Sequence, residues 1–266
     1  MQQQKILQKK YEGLTPDEKD ELSKLEESVE LEKAKPNIIG NFLSFVKYVW
    51  PEFIEGSHHK IINQKFNDLA EGKVKRLIIN MPPRHTKSEF ASYLLPAWMI
   101  GKDPKLKIIQ ATHTADLAID FGRKTKNLVD QDNYRELFST RLQEDSKAAG
   151  KWKTEQGGEY FAAGVGGAIT GRGANLLIID DPHKEQDIKK DSKAFDKAIN
   201  WYTSGPRQRL QPGGAIVVVM TRWSTKDITG QLLKAQTEEG SDQWEVVELP
   251  AIMPSGNIAG SSTTSH

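Results

Sequence analysis

Short apolar segments alternate with amphipathic segments of helical length along most of this sequence, and this alternation constrains the fold more than any other feature. Strands are predicted at 77–79, 107–111, 159–163, 176–179, 216–220 and 244–249. Helices are predicted from about 87 to 100, 115 to 129, 188 to 202 and 226 to 235. Such alternation favours an α/β fold with a mainly parallel central sheet flanked by helices. Ligands of such sheets bind beyond the carboxyl ends of the strands, so functional residues are expected directly after a strand.

A charged segment precedes this pattern and contains one clear helix start. Thr15 can cap a helix, Pro16 suits its first position, and Glu18 completes a capping box. The helix is predicted to end at about Ala34, because the next residue precedes a proline. A solvated arm is favoured here over a dedicated binding element. The predicted organisation is a charged helical arm at 1–36, one α/β domain at 37–254 and a low-complexity, disordered tail at 255–266.

The composition excludes several classes of protein. The sequence has no cysteine, which rules out disulfides and cysteine-ligated zinc. Its longest apolar run, 215–220, is too short to cross a bilayer, and the first residues lack the apolar core of a secretory signal. The net charge is +1, so binding to nucleic acid would require positive charge gathered on one face. These features favour a cytosolic protein.

The loop after the first predicted strand has part of a phosphate-binding pattern. Lys87 and Ser88 stand where a Walker A loop, between a strand and a helix, has its Lys and Ser. There the backbone N–H groups hold phosphates, the Lys neutralises them, and the hydroxyl ligates Mg²⁺. Both glycines of the pattern are missing, because Met81 and Thr86 take their places. Thr86 is β-branched and is expected to resist a positive φ, and a Lys-Ser pair alone is more often an ordinary helix start.

Two adjacent acids close the most apolar of the predicted strands. Asp180 and Asp181 follow 176–179 directly. In P-loop ATPases the first acid at this position holds Mg²⁺, usually through water, and the next polarises the attacking water. The alternative is a strand that leaves the core at a loop, where acids are common. Together with the phosphate-loop candidate upstream, the pair favours nucleotide hydrolysis.

Three further polar residues lie in positions that suit such a site. Arg84 lies inside the loop, where a guanidinium needs an anionic partner unless it is simply solvated. Arg172 lies in the glycine-rich segment 164–173, which predicts a tightly turned or mobile loop. It suits an arginine presented to the γ-phosphate of a neighbouring subunit, a contact to DNA, or an exposed side chain. Thr221 ends the fifth strand and is a candidate sensor of the γ-phosphate, with Arg222 next to it to pass on the change.

Taken together, three blocks of the sequence resemble one family. The blocks are 82–89, 171–182 and 211–223. They are similar to the large terminase subunit of tailed bacteriophages, the ATPase that pumps genomic DNA into a procapsid. The likeness extends over about 38–250 and implies a P-loop NTPase of the ASCE type with an N-terminal helical arm.

The resemblance implies a role for each matching residue. The residues implied to bind ATP are Pro83, Arg84, His85, Thr86, Lys87, Ser88 and Glu89, and those implied to act in catalysis are Lys87, Asp181, Arg84, Arg172 and Thr221. Ser88 and Asp180 are implied to hold Mg²⁺, so ATP and Mg²⁺ are the expected cofactors. The family usually has Gly in place of Thr86, a departure that bears on phosphate affinity, loop geometry and the rate of hydrolysis. His59 and Gln64 are candidates for contacting the adenine.

The resemblance also implies partners. These are double-stranded DNA, the portal ring of a procapsid, a small terminase subunit and further copies of this chain in a ring, with a monomer expected in dilute solution, no membrane partner and a location in the host-cell cytoplasm. Large terminases normally continue into a ribonuclease-H-like nuclease domain, and no DNA cutting is expected from this chain. Candidate DNA contacts are Lys151, Lys153, Lys189, Lys190, Arg207 and Arg209, although most charge clusters are solvated faces.

Two other functions stay open at this point. A helicase-like translocase also moves along nucleic acid, but it usually needs a second ATPase lobe that a chain of 266 residues is too short to contain. A degenerate P-loop scaffold, which binds a partner but no nucleotide, is suggested by Thr86.

Overall fold

The computed structural model of the chain describes residues 13–146, 148–169, 171–184 and 193–250. A seven-stranded sheet forms its centre. The strands are β1 (Arg76–Asn80), β2 (Lys107–Thr112), β3 (Lys151–Lys153), β4 (Glu159–Gly164), β5 (Ala174–Asp180), β6 (Leu210–Met220) and β7 (Glu245–Glu248).

Helices surround this sheet. They are α1 (Pro16–Gly40), α2 (Phe42–Val49), α3 (Ser57–Ala70), α4 (Leu95–Lys102), α5 (Ala115–Val129), α6 (Asp132–Leu137), α7 (Lys193–Ser204) and α8 (Ile228–Ala235). A π-helical turn, Glu89–Leu94, leads into α4, and a 3₁₀ turn, Pro206–Arg209, leads into β6. No helix in the described ranges is both long enough and apolar enough to cross a membrane.

The strand order is β3-β4-β2-β5-β6-β1-β7. Every neighbouring pair is parallel except β3 and β4 at one edge. One strand, β6, therefore lies between β1, which leads to the phosphate-loop candidate, and β5, which ends in the two acids. The predicted α/β fold, with a mainly parallel central sheet flanked by helices, is therefore confirmed.

The core lies on both faces of the sheet. Side chains of β1 alternate between the faces, as strand geometry requires: Leu77 and Ile79 join one apolar cluster and Ile78 joins the other. The first cluster packs against α1–α6 and the second against α7 and α8. Because helices cover both faces, the central strands are apolar at consecutive positions, and this explains the continuous runs seen in the sequence.

The N-terminal helix differs from its prediction at its end. Its start is as predicted, since the Thr15 side chain and Glu18 form a capping box. Its predicted end at about Ala34 was wrong, because α1 continues through Pro36 to Gly40. A proline removes one backbone hydrogen bond, but tertiary contacts hold the turn that follows it. Ile38 is buried there, and the indole N–H of Trp98 donates to the backbone carbonyl of residue 39 at 3.0 Å.

Several other boundaries differ from the prediction, and four helices and strands were missed. The helix predicted from residue 87 begins instead as the π-helical turn, and β6 begins at 210 rather than 216. The helices α2, α3 and α6 and the edge strand β3 were not predicted. The predicted tail at 255–266, the first twelve residues of the arm and the start of the helix predicted at 188 lie outside the described residues.

Candidate functional site

The loop between β1 and the π-helical turn has a strained backbone. Arg84 and Thr86 both adopt a φ of 65°, in the left-handed region that side chains with a Cβ disfavour by about 1–2 kcal/mol. The sequence led us to expect that Thr86 would avoid this conformation, and that expectation was wrong. Backbone strain of this kind collects at ligand sites, where surrounding contacts hold it in place.

The side chains of the loop point in different directions. Pro83, Arg84 and His85 are exposed, and Arg84 forms no ion pair with the described part of the chain. Glu89, predicted to bind ATP, is ion-paired with Lys124 of α5 at 2.7 Å. The exposed side of the loop therefore presents a guanidinium and an imidazole to solvent.

Lys87 points inward and meets the acids of β5. Its side chain is only 7% exposed, and its Nζ lies 2.5 Å from Oδ2 of Asp181. The other carboxylate oxygen of Asp181 accepts the backbone N–H of Thr221 at 2.9 Å. Asp181 itself has a φ of 40°, so the residue that pairs with Lys87 also has a strained backbone. The fold thus brings the loop and the acidic strand end together, as the spacing of the motifs predicts.

Asp180 is buried beside this ion pair with one oxygen satisfied and one not. Its Oδ2 accepts from the Ser92 hydroxyl at 2.7 Å, and Ser92 Oγ accepts from the side-chain amide of Gln110 at 2.9 Å. Its Oδ1 is buried and has no hydrogen-bond partner in the described chain. A relay of two neutral side chains therefore orients this carboxylate and leaves one oxygen free to meet a further group.

The environment of Asp180 disfavours its charged form. Burial and the neighbouring Asp181 raise the pKa of Asp180 to about 6, although Lys87 and the hydroxyls of Ser92 and Ser88 lower it. A cation next to the free oxygen would favour the carboxylate and reverse this rise. Because the Ser88 hydroxyl takes part in lowering the pKa of Asp180, the two residues predicted to hold a metal are neighbours.

The segment after β6 connects the site to α8. The hydroxyl of Thr221 donates to the carbonyl of Met81 at 3.3 Å, at the start of the loop. Arg222 donates to the buried carboxylate of Asp227 at 3.0 Å, and Asp227 caps α8. Thr221 therefore contacts both the loop and Asp181, and the next residue is tied to a helix.

Arg172 lies far from this site within the chain. It precedes β5, whose seven residues extend roughly 20 Å to the acids. There it is ion-paired with Glu159 and its guanidinium lies 4.0 Å above the ring of Phe161. The structure does not bring Arg172 to the phosphate loop of its own chain. Any contact of Arg172 with a phosphate would therefore be with a nucleotide bound to a neighbouring subunit.

The four predicted DNA-contacting residues that the structure describes do not form one surface with the loop. Lys151 and Lys153 are exposed on the edge strand β3. Arg207 is ion-paired with Asp242 at 2.6 Å and, with Arg209, lies in the 3₁₀ turn at the amino end of β6. Lys189 and Lys190 lie outside the described residues.

Two residues that orient the site, Gln110 and Ser92, were not predicted, and the two candidates for the adenine have contacts within the chain. Gln110 is fully buried inside an apolar strand, and a lone amide in such a run is a detectable signal. Ser92 gave no signal, because its direction depends on the π-helical turn. His59 was considered for the adenine, but its Nε2 lies 2.7 Å from the Thr86 hydroxyl, and Gln64 bonds to Asp68 on its own helix.

Comparison with known proteins finds remote likenesses among solved structures alone. No family model matches the sequence, and no curated protein matches it. Among solved structures, the large terminase of bacteriophage HK97 is similar, with a TM-score of 0.48 and 11% identity over 77% of this chain. The match covers 41% of that protein, so this chain spans less than half of its length. A likeness this remote concerns the fold alone.

Proposed function

We propose that this chain is an ATP-hydrolysing motor domain of a viral DNA-packaging terminase. The observation that carries the proposal is the meeting of Lys87, Ser88, Asp180 and Asp181 at the carboxyl edge of the sheet. A buried ammonium, a hydroxyl and two carboxylates at the end of parallel strands match the parts that phosphoryl-transfer sites use. The strained loop in front of them adds backbone N–H groups at the position where phosphates bind in P-loop proteins.

The donor set fits a magnesium ion. Mg²⁺ prefers oxygen ligands and is usually bound by one or two carboxylates together with phosphates. The free Oδ1 of Asp180 and the Ser88 hydroxyl are such ligands, and the unpartnered oxygen is costly to bury without a cation or water. When bound, Mg²⁺ supplies positive charge that neutralises the phosphate oxygens.

The ion pair between Lys87 and Asp181 suggests how the site responds to phosphates. Among the described residues, Lys87 is ion-paired with one carboxylate, that of Asp181, at 2.5 Å, and a polyphosphate would compete for Lys87 with more negative charge. Asp181 is then released on one oxygen while the N–H of Thr221 still orients the other. A carboxylate held in this way is placed to accept a proton from an attacking water.

The contacts of Thr221 support a coupling role for that residue. It bonds to the acid that loses its lysine partner and to the start of the loop, and Arg222 is anchored to the cap of α8. We propose that loss of the γ-phosphate changes the contacts of Thr221 and that this change moves α8. Movement of DNA into a procapsid would draw on this change.

The partners in this proposal follow from the terminase-like sequence blocks. They are double-stranded DNA, the portal ring of a procapsid, a small terminase subunit and a ring of copies of this chain, in the cytoplasm of the host cell. Arg172, placed far from its own loop, is the proposed contact to the neighbouring subunit's nucleotide.

A Mg-ATP thermal shift tests the nucleotide site first. At 100 times the dissociation constant, a ligand stabilises by about 2.7 kcal/mol, which is roughly 5–10 °C for a domain of this size. Lys87→Ala should abolish the shift, whereas the same substitution at the exposed Lys24 should keep it. If Mg-ATP causes no thermal shift in the wild-type chain, the proposed ATPase is contradicted and the degenerate P-loop scaffold is favoured.

ATPase assays then separate the motor from a helicase. Procapsids that carry portal rings should stimulate hydrolysis more than DNA alone does. Stimulation by nucleic acid to the full extent, with nothing added by procapsids, would count against packaging and favour the helicase-like alternative.

A further inference from the structure

His59 is enclosed at the back of the phosphate loop. Its ring is 4% exposed and lies between Phe53 and Phe90, with centroid distances of 4.7 and 4.9 Å. Its Nδ1 accepts the backbone N–H of Gly56 at 2.8 Å, at the start of α3. Its Nε2 lies 2.7 Å from the hydroxyl oxygen of Thr86. Packing and the bond to Gly56 therefore fix the ring in one orientation.

The hydrogen bonds define which ring nitrogen carries the proton. Because Nδ1 accepts, it has no hydrogen, and a neutral imidazole must then carry its proton on Nε2. Burial lowers the pKa of His59 to about 4, so the ring is neutral near pH 7. Nε2–H therefore donates to Thr86 Oγ1, and the Thr86 hydroxyl donates to the carbonyl of His85 at 2.5 Å. The chain of bonds from Gly56 to His85 has one direction only.

This chain of bonds ends on a strained residue. Thr86 has a φ of 65°, where a β-branched side chain is disfavoured and a glycine is not. A contact is needed to hold Thr86 in this conformation. Within the described residues, the Thr86 hydroxyl supplies it by accepting from Nε2–H of His59. An alanine or valine at this position would have the strain without the contact.

We propose that His59 is a positioning residue that holds Thr86 in the left-handed conformation and so shapes the phosphate loop. Together, the histidine and the threonine hydroxyl replace the conformational freedom that a glycine would supply. The effect on phosphate binding rests on the nucleotide site proposed above, whereas the effect on the loop does not.

A double-mutant cycle without nucleotide tests the effect on the loop. His59→Phe keeps a packed ring but removes the donor, and Thr86→Val keeps the shape but removes the hydroxyl. A single buried hydrogen bond predicts a coupling of roughly fivefold in the unfolding equilibrium constant. In a Thr86→Ser background, which keeps the hydroxyl, His59→Phe should cost as much stability as it does in the wild-type chain. His58→Phe, one residue away, should show no coupling with Thr86→Val.

Two readouts separate positioning from simple packing. The ¹⁵N–¹H spectrum of the His59 side chain at pH 7 should show the Nε2–H tautomer in the wild-type chain and in Thr86→Ser. The dissociation constant for a non-hydrolysable ATP analogue with Mg²⁺ should rise roughly fivefold in His59→Phe. In a Thr86→Gly background the same substitution should change that constant less than about twofold, because glycine needs no support.

The outcomes distinguish this proposal from the nucleotide site. Additive effects of His59→Phe and Thr86→Val on unfolding, or an Nδ1–H tautomer, overturn the positioning role whatever the chain binds. If His59→Phe lowers the analogue affinity equally in the wild-type chain and in Thr86→Gly, the positioning role is also overturned. If the wild-type chain binds no analogue, the proposed function fails, and coupled unfolding with an Nε2–H tautomer still supports the role of His59 in the loop.

Discussion

Charged residues are arranged differently at the amino edge of the sheet, where the parallel strands begin, and at its carboxyl edge, where they end. At the amino edge, Arg172 is paired with Glu159, and Arg76 and Arg207 share Asp242 at 2.9 and 2.6 Å. At the carboxyl edge, Oδ1 of the buried Asp180 has no hydrogen-bond partner in the described chain; Nε of Arg76 and of Arg209 at the amino edge also lack one, although Arg76 is ion-paired. The described chain has three residues other than glycine with a positive φ, Arg84, Thr86 and Asp181, and all lie at the carboxyl edge.

This difference separates stability from function within one sheet. Paired charges and relaxed backbone lower the energy of the folded state, whereas backbone strain raises it and persists where a ligand can use it. Substitutions at the amino edge are therefore expected to change stability, and substitutions at the carboxyl edge to change binding and turnover.

The largest effect is expected from Asp181→Asn. An amide cannot accept the proton of the attacking water, so turnover should fall by about 10²–10⁴-fold while ATP stays bound. Steady-state ATPase assays and analogue binding measure the two quantities. Asp132→Asn, on a side chain that is 99% exposed, is the matched control. Retained turnover would remove Asp181 from the catalytic role.

Acid should weaken the carboxyl edge through His59. Burial and, less strongly, His58 lower its pKa to about 4, against the opposing charge of Glu55. Between pH 6.5 and about 4 the unfolded chain therefore binds a proton that the native chain does not, so stability falls as pH falls. The loss attributable to His59 is about 3 kcal/mol at most. Urea unfolding of wild type and His59→Phe at pH 7 and pH 4.5 measures this loss. If the stability difference between wild type and His59→Phe is the same at both pH values, the prediction is contradicted.

At the amino edge, Asp242→Ala should destabilise the fold without affecting catalysis. It leaves the partly buried Arg76 and Arg207 without their shared partner, at an expected cost of about 2 kcal/mol. Urea unfolding measures the loss, and ATPase activity per folded molecule should stay within twofold of wild type. A fall in turnover as large as that of Asp181→Asn would abolish the distinction between the edges.

A smaller effect is expected from Ser92→Ala, which removes the hydroxyl that orients Asp180. Outer partners of metal ligands contribute about tenfold or more to metal affinity. The Mg²⁺ concentration that half-saturates ATP hydrolysis should rise about tenfold, while analogue binding without metal stays the same. Ser44→Ala, at a hydroxyl near the chain's surface, serves as the control.

The smallest effect is expected from Thr86→Gly. Relief of strain at a φ of 65° stabilises the loop, whereas the lost bond to His59 and the greater freedom of the unfolded chain oppose it. The net change in unfolding free energy should stay below about 1 kcal/mol, and nucleotide affinity should be kept or raised. Thr86→Val should instead lose about 1 kcal/mol in the same urea titration, because it keeps the strain. A collapse of nucleotide binding in Thr86→Gly would mean that this loop holds phosphates in another way.

The sequence was informative where the signal is local. Helix α5 was predicted with its observed bounds, and β2, β4 and β5 within a few residues, because periodicity and caps act over short stretches. The loop and the two acids were placed at strand ends for the same reason. The roles of these residues stay predictions until the experiments above are done.

The sequence by itself determined the helices and strands with a clear periodicity, their mainly parallel arrangement, and the positions of Lys87, Asp180 and Asp181 directly after strands. The tertiary structure decided that α1 passes through Pro36, that Arg172 lies at the far edge of the sheet, and that His59 reaches Thr86. The physical reason is the range of the forces involved. Helix and strand periods follow from neighbours in the chain, whereas a strained φ or an unpartnered oxygen depends on side chains that only folding brings together.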